Sequence, residues 1–232
     1  MNHTDFKTHC LNPKEKIIGT VWLVFQTSFF AMLLQWLNTL LPAPLPQTEI
    51  NLIFFSVNFT AIAIIFRQYL WAQIKLIPEI FEKIFSITVS GFAVYWALKT
   101  LLTQVLFALE PDFTNVNDVA IQNLIAENYA IMFVGTVILA PITEEMLFRG
   151  LVFRGLYDHT PGLAWVFSVA LFALIHILGY IGAYPFKTLL LCFLQYLPAG
   201  ICLAAAYRLS GSLLCPILIH ALVNLAAMLS LR

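Results

Sequence analysis

The chain consists mainly of long apolar runs separated by short polar or proline-bearing breaks. A membrane-spanning helix needs about 20 mostly apolar residues, and seven runs qualify. They are approximately 17–41, 50–72, 84–108, 128–155, 163–182, 187–207 and 212–231. The period-two alternation of a membrane β-barrel is not seen, and backbone groups in lipid must be satisfied within each segment. The pattern therefore predicts an all-α, polytopic transmembrane helical bundle of about seven spans, with eight as the alternative.

Composition points to the same class of protein. Hydrophobic residues make up 61% of the 232 residues and charged residues 10%, with a mean hydropathy of +0.88. A soluble domain has roughly 45–50% apolar and about 25% charged residues, so this chain is expected to contact membrane lipids. Its net charge of zero argues against nucleic acid as a partner. Without an internal repeat, residues 1–232 are predicted to form one integral membrane domain.

The distribution of lysine and arginine predicts the orientation, because these residues concentrate on the cytoplasmic side. With a cytoplasmic N-terminus, most basic residues fall on that side, whereas Lys99, Lys187 and Arg232 fall opposite. The loop 109–127 contains acidic but no basic residues, and a short interfacial helix is expected over 113–126. The basic residues on the cytoplasmic side are Lys7, Lys14, Lys16, Arg67, Lys75, Lys83, Arg154 and Arg208.

Ionisable residues occur inside three of the apolar runs in the C-terminal half. Each costs at least about 2.5–3.5 kcal/mol at mid-bilayer, so such residues are candidates for function. The run 128–155 contains Glu144, Glu145 and Arg149, and the later runs contain His176 and His220. A single histidine in an apolar helix is more often a hydrogen-bonded core residue than a catalyst. The argument for function therefore depends on whether these side chains meet.

Helix geometry separates the two glutamates. Neighbouring residues on an α-helix point about 100° apart, whereas residues four apart share a face. Glu145 and Arg149 are therefore predicted to form an ion pair along their helix. Glu144 points elsewhere and has no partner on its own helix, which suits a general base.

The expected depths of the polar residues agree. At 1.5 Å per residue, Glu144 lies about 16 Å from the cytoplasmic end of its helix and His176 about 20 Å. His220 and Asn224, which share a face, lie about 12–18 Å from theirs. Four polar side chains from three helices are thus predicted to meet in one layer of the membrane.

Three short motifs resemble those of a known family. They are Glu-Glu-x-x-x-Arg at 144–149, Phe-x-x-x-His at 172–176 and His-x-x-x-Asn at 220–224. In this order, on separate apolar helices, they resemble the type II CAAX prenyl endopeptidase and bacteriocin-processing (abortive infection, CPBP) family of intramembrane proteases. The resemblance covers about 127–232, the predicted catalytic helices. The N-terminal helices within 17–126 show no alignable motif.

The resemblance implies an intramembrane endopeptidase that cleaves a peptide or protein near the membrane. It implies that Glu144 activates a water molecule and that His176 positions this water. His220 and Asn224 would polarise the scissile carbonyl and stabilise its oxyanion.

The resemblance also leaves the cofactor open between zinc and none. Glu144, His176 and His220 would be the ligands if zinc is bound, because one Glu and two His leave one position free. A metal-free, glutamate-activated water uses the same residues. Asn224 favours this second mechanism, because an amide binds zinc poorly but donates well to an oxyanion. Glu145, Arg149 and Phe172 are expected to support the site structurally.

Two other classes of function stay open. One is a non-proteolytic bacteriocin-immunity or scaffold protein of the same family. The other is a small proton-coupled transporter, which the lack of repeat symmetry and of paired broken helices disfavours. The small size without extra domains is typical of a bacterial or archaeal member in the cell membrane. A substrate without a prenyl group is expected for most bacterial members.

Overall fold

The computed structural model describes residues 10–230, is 86% helical and has no β-strand among those residues. Lys7 and Arg232, which entered the prediction of orientation, lie outside the described residues. The described part of the chain forms eight helices. They are α1 Pro13–Thr39, α2 Gln47–Ile65, α3 Arg67–Leu109, α4 Val116–Glu127, α5 Tyr129–Tyr157, α6 Pro161–Leu178, α7 Phe186–Ser210 and α8 Leu214–Ser230.

Six of these helices are long and apolar enough to cross a membrane, and α8 is a shorter apolar helix. The prediction of a polytopic helical bundle is confirmed. The remaining helix, α4, is the short helix that was expected over 113–126. The Asn115 side chain begins it by accepting hydrogen bonds from the backbone N–H groups of Asn117 and Asp118.

The prediction of one span over 50–72 is wrong at its C-terminal end. Helix α2 ends at Ile65, because Phe66 (φ −101°, ψ 22°) leaves the helical conformation. The following residues belong to α3, whose first ten residues carry Arg67, Gln73 and Lys75. Helix α3 also continues through a 3-10 turn at Ile77–Ile80, so the break predicted between the runs 50–72 and 84–108, which contains Pro78, is a local tightening within one helix.

Helix α5 lies at the centre of the bundle, with 61% of its apolar window buried, a larger share than in any other candidate span. It packs against α6, which in turn packs along α7, and α7 packs on α3. The contact of α6 with α7 is close at Gly200, where a Cβ atom would lie only 3.2 Å from Val169 Cα. The motif-bearing helices α5, α6 and α8 are thereby held by a tightly packed core.

Polar contacts join the helix ends at one side of the bundle. Glu15 Oε1, in the first turn of α1, accepts from the backbone N–H of Tyr69, and the hydroxyls of Tyr69 and Tyr207 are 2.5 Å apart. Arg208 Nε donates to the Tyr157 hydroxyl at 2.6 Å, which links the ends of α5 and α7. Five basic residues lie near the same helix ends. The residues are Lys14, Lys16, Arg67, Arg154 and Arg208.

Candidate active site

The central helix α5 changes its winding on both sides of the two glutamates. The segments Val134–Leu139 and Met146–Phe153 are π-helical, and the short α-helical stretch Ala140–Glu145 lies between them. Pro141 lies in this stretch and has no N–H to donate to the preceding turn. π-Helical turns are rare and often occur at functional sites, because they redirect side chains. Here they set the directions of Glu144 and Glu145.

Glu145 and Arg149 form the predicted ion pair, and both side chains are fully buried. Arg149 Nη1 donates to Glu145 Oε1 at 3.1 Å, and Nη2 donates to the backbone carbonyl of Gly200 at 3.0 Å. The same carboxylate oxygen also lies 2.9 Å from Nδ1 of His220. Glu145 therefore joins α5 to α8, a contact that helix spacing did not predict.

Glu144 faces His176 from α6. Its Oε2 atom lies 4.0 Å from His176 Nε2, and the two side chains are 19% and 17% exposed, so the pair is open on one side. Among the described residues, this buried oxygen has no hydrogen-bond partner. His176 Nδ1 lies 2.8 Å from the Phe172 carbonyl oxygen. A carbonyl oxygen can only accept, so Nδ1 carries the proton and Nε2 presents a lone pair towards Glu144 in the neutral ring.

Phe172 touches both histidines. Its ring centroid lies 4.9 Å from that of His176 and 5.6 Å from that of His220. The Arg149 guanidinium lies over the same ring, 4.5 Å from its centroid. One aromatic ring thus spaces two histidines and the buried ion pair, and Phe172 lies where a supporting residue was expected.

Asn224 lies one turn beyond His220 on α8. Its amide Nδ2 donates to the backbone carbonyl of Thr136 at 2.8 Å, within the first π-helical segment of α5. This bond fixes the side chain but uses only one of the two amide N–H groups. The four predicted site residues therefore lie around the middle of α5, with Glu144 facing His176 and with His220 bonded to Glu145.

Tyr196 on α7 is a contact that the sequence reasoning missed. Its ring stacks on His176 with centroids 4.2 Å apart and planes at 25°. The Tyr196 hydroxyl donates to Asp118 Oδ1 at 3.0 Å and accepts from Asn117 Nδ2 at 2.9 Å. Burial raises the pKa of Asp118, and the Tyr196 hydrogen bond partly offsets this. The sequence signal for this contact was the polar hydroxyl of Tyr196 inside the apolar run 187–207. Through it, α4 holds one face of His176.

Glu144, His176 and His220 were named as the ligands if zinc is bound, but they do not surround one point. Among residues 10–230, no three His, Cys, Asp or Glu side chains lie close enough together to hold a metal ion. Zinc requires its ligands at about 2.0–2.2 Å from one centre.

Comparison with protein families bears directly on this cluster. Residues 126–226 match the family described as type II CAAX prenyl endopeptidase Rce1-like. This segment is similar to the Rce1-like family and is called the Rce1-like domain. It contains all three motifs, so the family resemblance is confirmed over the C-terminal half, while helices α1 to α4 lie almost entirely outside it. At family level this match supports a CAAX-type intramembrane protease, and together with the apolar helices it supports an integral membrane protein. No curated protein and no solved structure matches the chain.

Proposed function

We propose that this protein is an intramembrane endopeptidase in which Glu144 activates water to cleave a peptide or protein near the membrane. The observation that carries the proposal is the pairing of Glu144 Oε2 with His176 Nε2 at 4.0 Å. This distance is too long for a direct hydrogen bond, but one water molecule bonds both atoms at ordinary lengths. The family membership of residues 126–226 supports the same class of reaction.

The tautomer of His176 determines how such a water is held. Its Nε2 accepts one proton of the water, and the Glu144 carboxylate accepts the other, since the Nδ1–H of His176 is taken by the Phe172 carbonyl. The water oxygen then directs a lone pair at the scissile carbonyl carbon. Glu144 takes the proton as the C–O bond forms and returns it to the leaving amine as the C–N bond breaks.

His220 and Asn224 are proposed to stabilise the oxyanion. The Glu145 carboxylate orients His220 through Nδ1, much as a carboxylate orients a catalytic histidine in serine proteases, and a proton on Nε2 would be donated to the oxyanion. Asn224 supplies its second amide N–H, because the first is bonded to the Thr136 carbonyl. Two donors aimed at a developing negative charge in a low-dielectric site lower the barrier.

Hydrolysis of defined peptides by the purified full-length chain in detergent tests this function. New amino and carboxyl termini are identified by mass spectrometry, and the new carboxyl group must contain one oxygen from ¹⁸O-labelled water. A chain that cuts neither unmodified nor prenylated peptides would instead favour the immunity or scaffold protein.

We expect the active protein to contain well below one equivalent of zinc. The described residues do not bring three suitable ligands together, so catalysis should persist in strong chelator with less than about a twofold loss of rate. Elemental analysis of the purified protein, with its rate before and after chelation, measures this. Stoichiometric zinc, with activity lost on chelation and restored by metal, would contradict the metal-free mechanism.

The basic end of the bundle is proposed to face the cytoplasm. Single cysteines at exposed His159 and Asp112 test this in cells, in a background where Cys10 is Ser. A membrane-impermeant maleimide should label Asp112→Cys in intact cells and His159→Cys only after permeabilisation. The reverse result would invert the orientation.

A further inference from the structure

A cavity of about 280 Å³ lies between the N-terminal helices and the Rce1-like domain. Residues of α1, α2, α4 and α5 line it, together with Tyr180 in the turn after α6. Its volume is close to the lower end of small-ligand pockets, about 300 Å³, so it has room for a short group rather than a domain. Its position relative to the catalytic cluster suggests what it binds.

We propose that this cavity binds an uncharged side chain of the peptide substrate next to the scissile bond and thereby selects which peptides are cut. The inference rests on the proposed function, since it assigns the substrate specificity of that site. Three observations carry it: contact with the catalytic cluster, the chemistry of the walls, and the part of the chain that builds them.

Hydrogen bonds link the cavity wall to the catalytic residues along two routes, one direct and one through Tyr196. Thr136 lines the cavity, and its carbonyl accepts from the Asn224 amide at 2.8 Å. Asn117 lines it as well and donates to the hydroxyl of Tyr196, whose ring stacks on His176. A group bound there therefore contacts Thr136, which is bonded to the proposed oxyanion donor, and is linked to the water-positioning histidine through Asn117 and Tyr196.

The polar part of the wall suits a peptide. Gln35 Nε2 donates to Gln47 Oε1 at 2.8 Å, and Gln47 Nε2 donates to Asn51 Oδ1 at 3.1 Å. This row of amides leaves further donors and acceptors that match those of a peptide backbone. Gln35 and Gln47 are exposed, so their amides are accessible to a bound group. A peptide backbone can hydrogen-bond to them and an acyl chain cannot, so the row of amides favours a peptide over a lipid.

The rest of the wall selects against charge. Phe54, Phe55 and Met132 supply apolar surface, and no lining side chain is charged. An ionised side chain would lose its hydration there without gaining an ion pair, which is strongly unfavourable. Peptides with an uncharged residue at this position are thus expected to be preferred.

The cavity is built largely outside the matched segment. Among its lining residues, only Met132, Thr136 and Tyr180 fall within 126–226. The chemistry therefore lies in the Rce1-like domain, and the N-terminal helices form most of the proposed specificity pocket. This division gives a function to the half of the chain that carries no family motif.

Filling the cavity from α4 tests the proposal. Ala120 lines the cavity, whereas Ala126 lies on the same helix, is exposed and does not line it. For the peptide residue whose side chain enters the cavity, Ala120→Phe should disfavour large side chains. Peptides with Leu or Phe there should be cleaved at least about tenfold less than peptides with Gly or Ala there, relative to wild type. Ala126→Phe should leave the profile unchanged. Cleavage of a synthetic peptide mixture, followed by mass spectrometry, gives both profiles.

A charge placed in the wall provides an independent test. Asn51→Asp should improve cleavage of peptides with Lys or Arg at the same position, and the matched variant Asn123→Asp, at an exposed residue of α4, should not. This isosteric change keeps the proposal testable if Ala120→Phe fails to fold. Profiles that do not respond to either cavity variant would overturn the assignment.

A peptide-binding measurement distinguishes an error in the assignment of the cavity from an error in the proposed function. In a Glu144→Gln background, retention of the same peptides measures binding without turnover, and native mass spectrometry measures lipid that copurifies. If no peptide is cut but Ala120→Phe reduces the range of peptides that the protein binds, the cavity is a peptide site and the protease assignment is wrong. If Ala120→Phe displaces lipid and leaves peptide retention unchanged, the cavity is a lipid site and the proposal is overturned.

Discussion

Glu144→Gln is expected to lower the rate of peptide hydrolysis by about 10²–10⁴-fold, the usual contribution of a general base. The amide keeps the size of the side chain but cannot accept a proton from water. Its buried Oε2 has no hydrogen-bond partner among the described residues, so the folded state loses no contact there. Thermal unfolding in detergent should therefore stay close to wild type. Initial rates on one cleaved peptide, with unfolding temperatures of the same preparations, measure both effects.

Glu145→Gln is the matched control for this substitution. The two carboxylates are adjacent in the chain, but Glu145 is bonded to Arg149 and His220, whereas Glu144 faces His176 across 4.0 Å. Glu145→Gln should thus lower the unfolding temperature, and Glu144→Gln should not. Normal cleavage by Glu144→Gln would show that another group is the base. If the protein is a scaffold, cells with Glu144→Gln should show the same phenotype as cells with the wild-type protein.

The spans were predictable because the apolar runs are long and the bilayer sets their length. The end of α2 was not, since the run 50–72 contains no proline or glycine and Phe66 carries no signal of a break. Helix α3 shows the converse error, because Pro78 is accommodated in a 3-10 turn. Helix boundaries inside an apolar run depend on packing between helices, which hydropathy does not encode.

The candidate site divides in the same way. The Glu145–Arg149 pair follows from residues four apart on one helix, and it was predicted correctly. The bond from His220 to Glu145 needs the relative rotation of α5 and α8, and the Tyr196 stack on His176 needs that of α6 and α7. Spacing along the chain carries neither quantity. Depth from the helix ends was sufficient to predict a common layer but not the partner of each histidine.

Arg149→Ala is expected to destabilise the protein by about 3–5 kcal/mol, as for other buried ion pairs that lose one partner. Arg149 is fully buried and bonds the Glu145 carboxylate, the Gly200 carbonyl and the face of Phe172. Its removal leaves the buried Glu145 carboxylate with the hydrogen bond to His220 and loosens the approach of α5 to α7. Thermal or denaturant unfolding in detergent measures the loss.

A double variant separates the stranded charge from the lost packing. In Glu145→Gln with Arg149→Ala, the truncation at 149 is the same as in the single variant, and an uncharged amide of similar shape replaces the Glu145 carboxylate. If the stranded Glu145 carboxylate causes most of the loss in Arg149→Ala, the double variant should be more stable than the single one. Arg149→Lys should fall between wild type and Arg149→Ala, because an ammonium keeps the charge but cannot span both Glu145 and the Gly200 carbonyl as the planar guanidinium does. Equal stability of Arg149→Ala and wild type would mean that the ion pair contributes little, and that Glu145 is held by His220 instead.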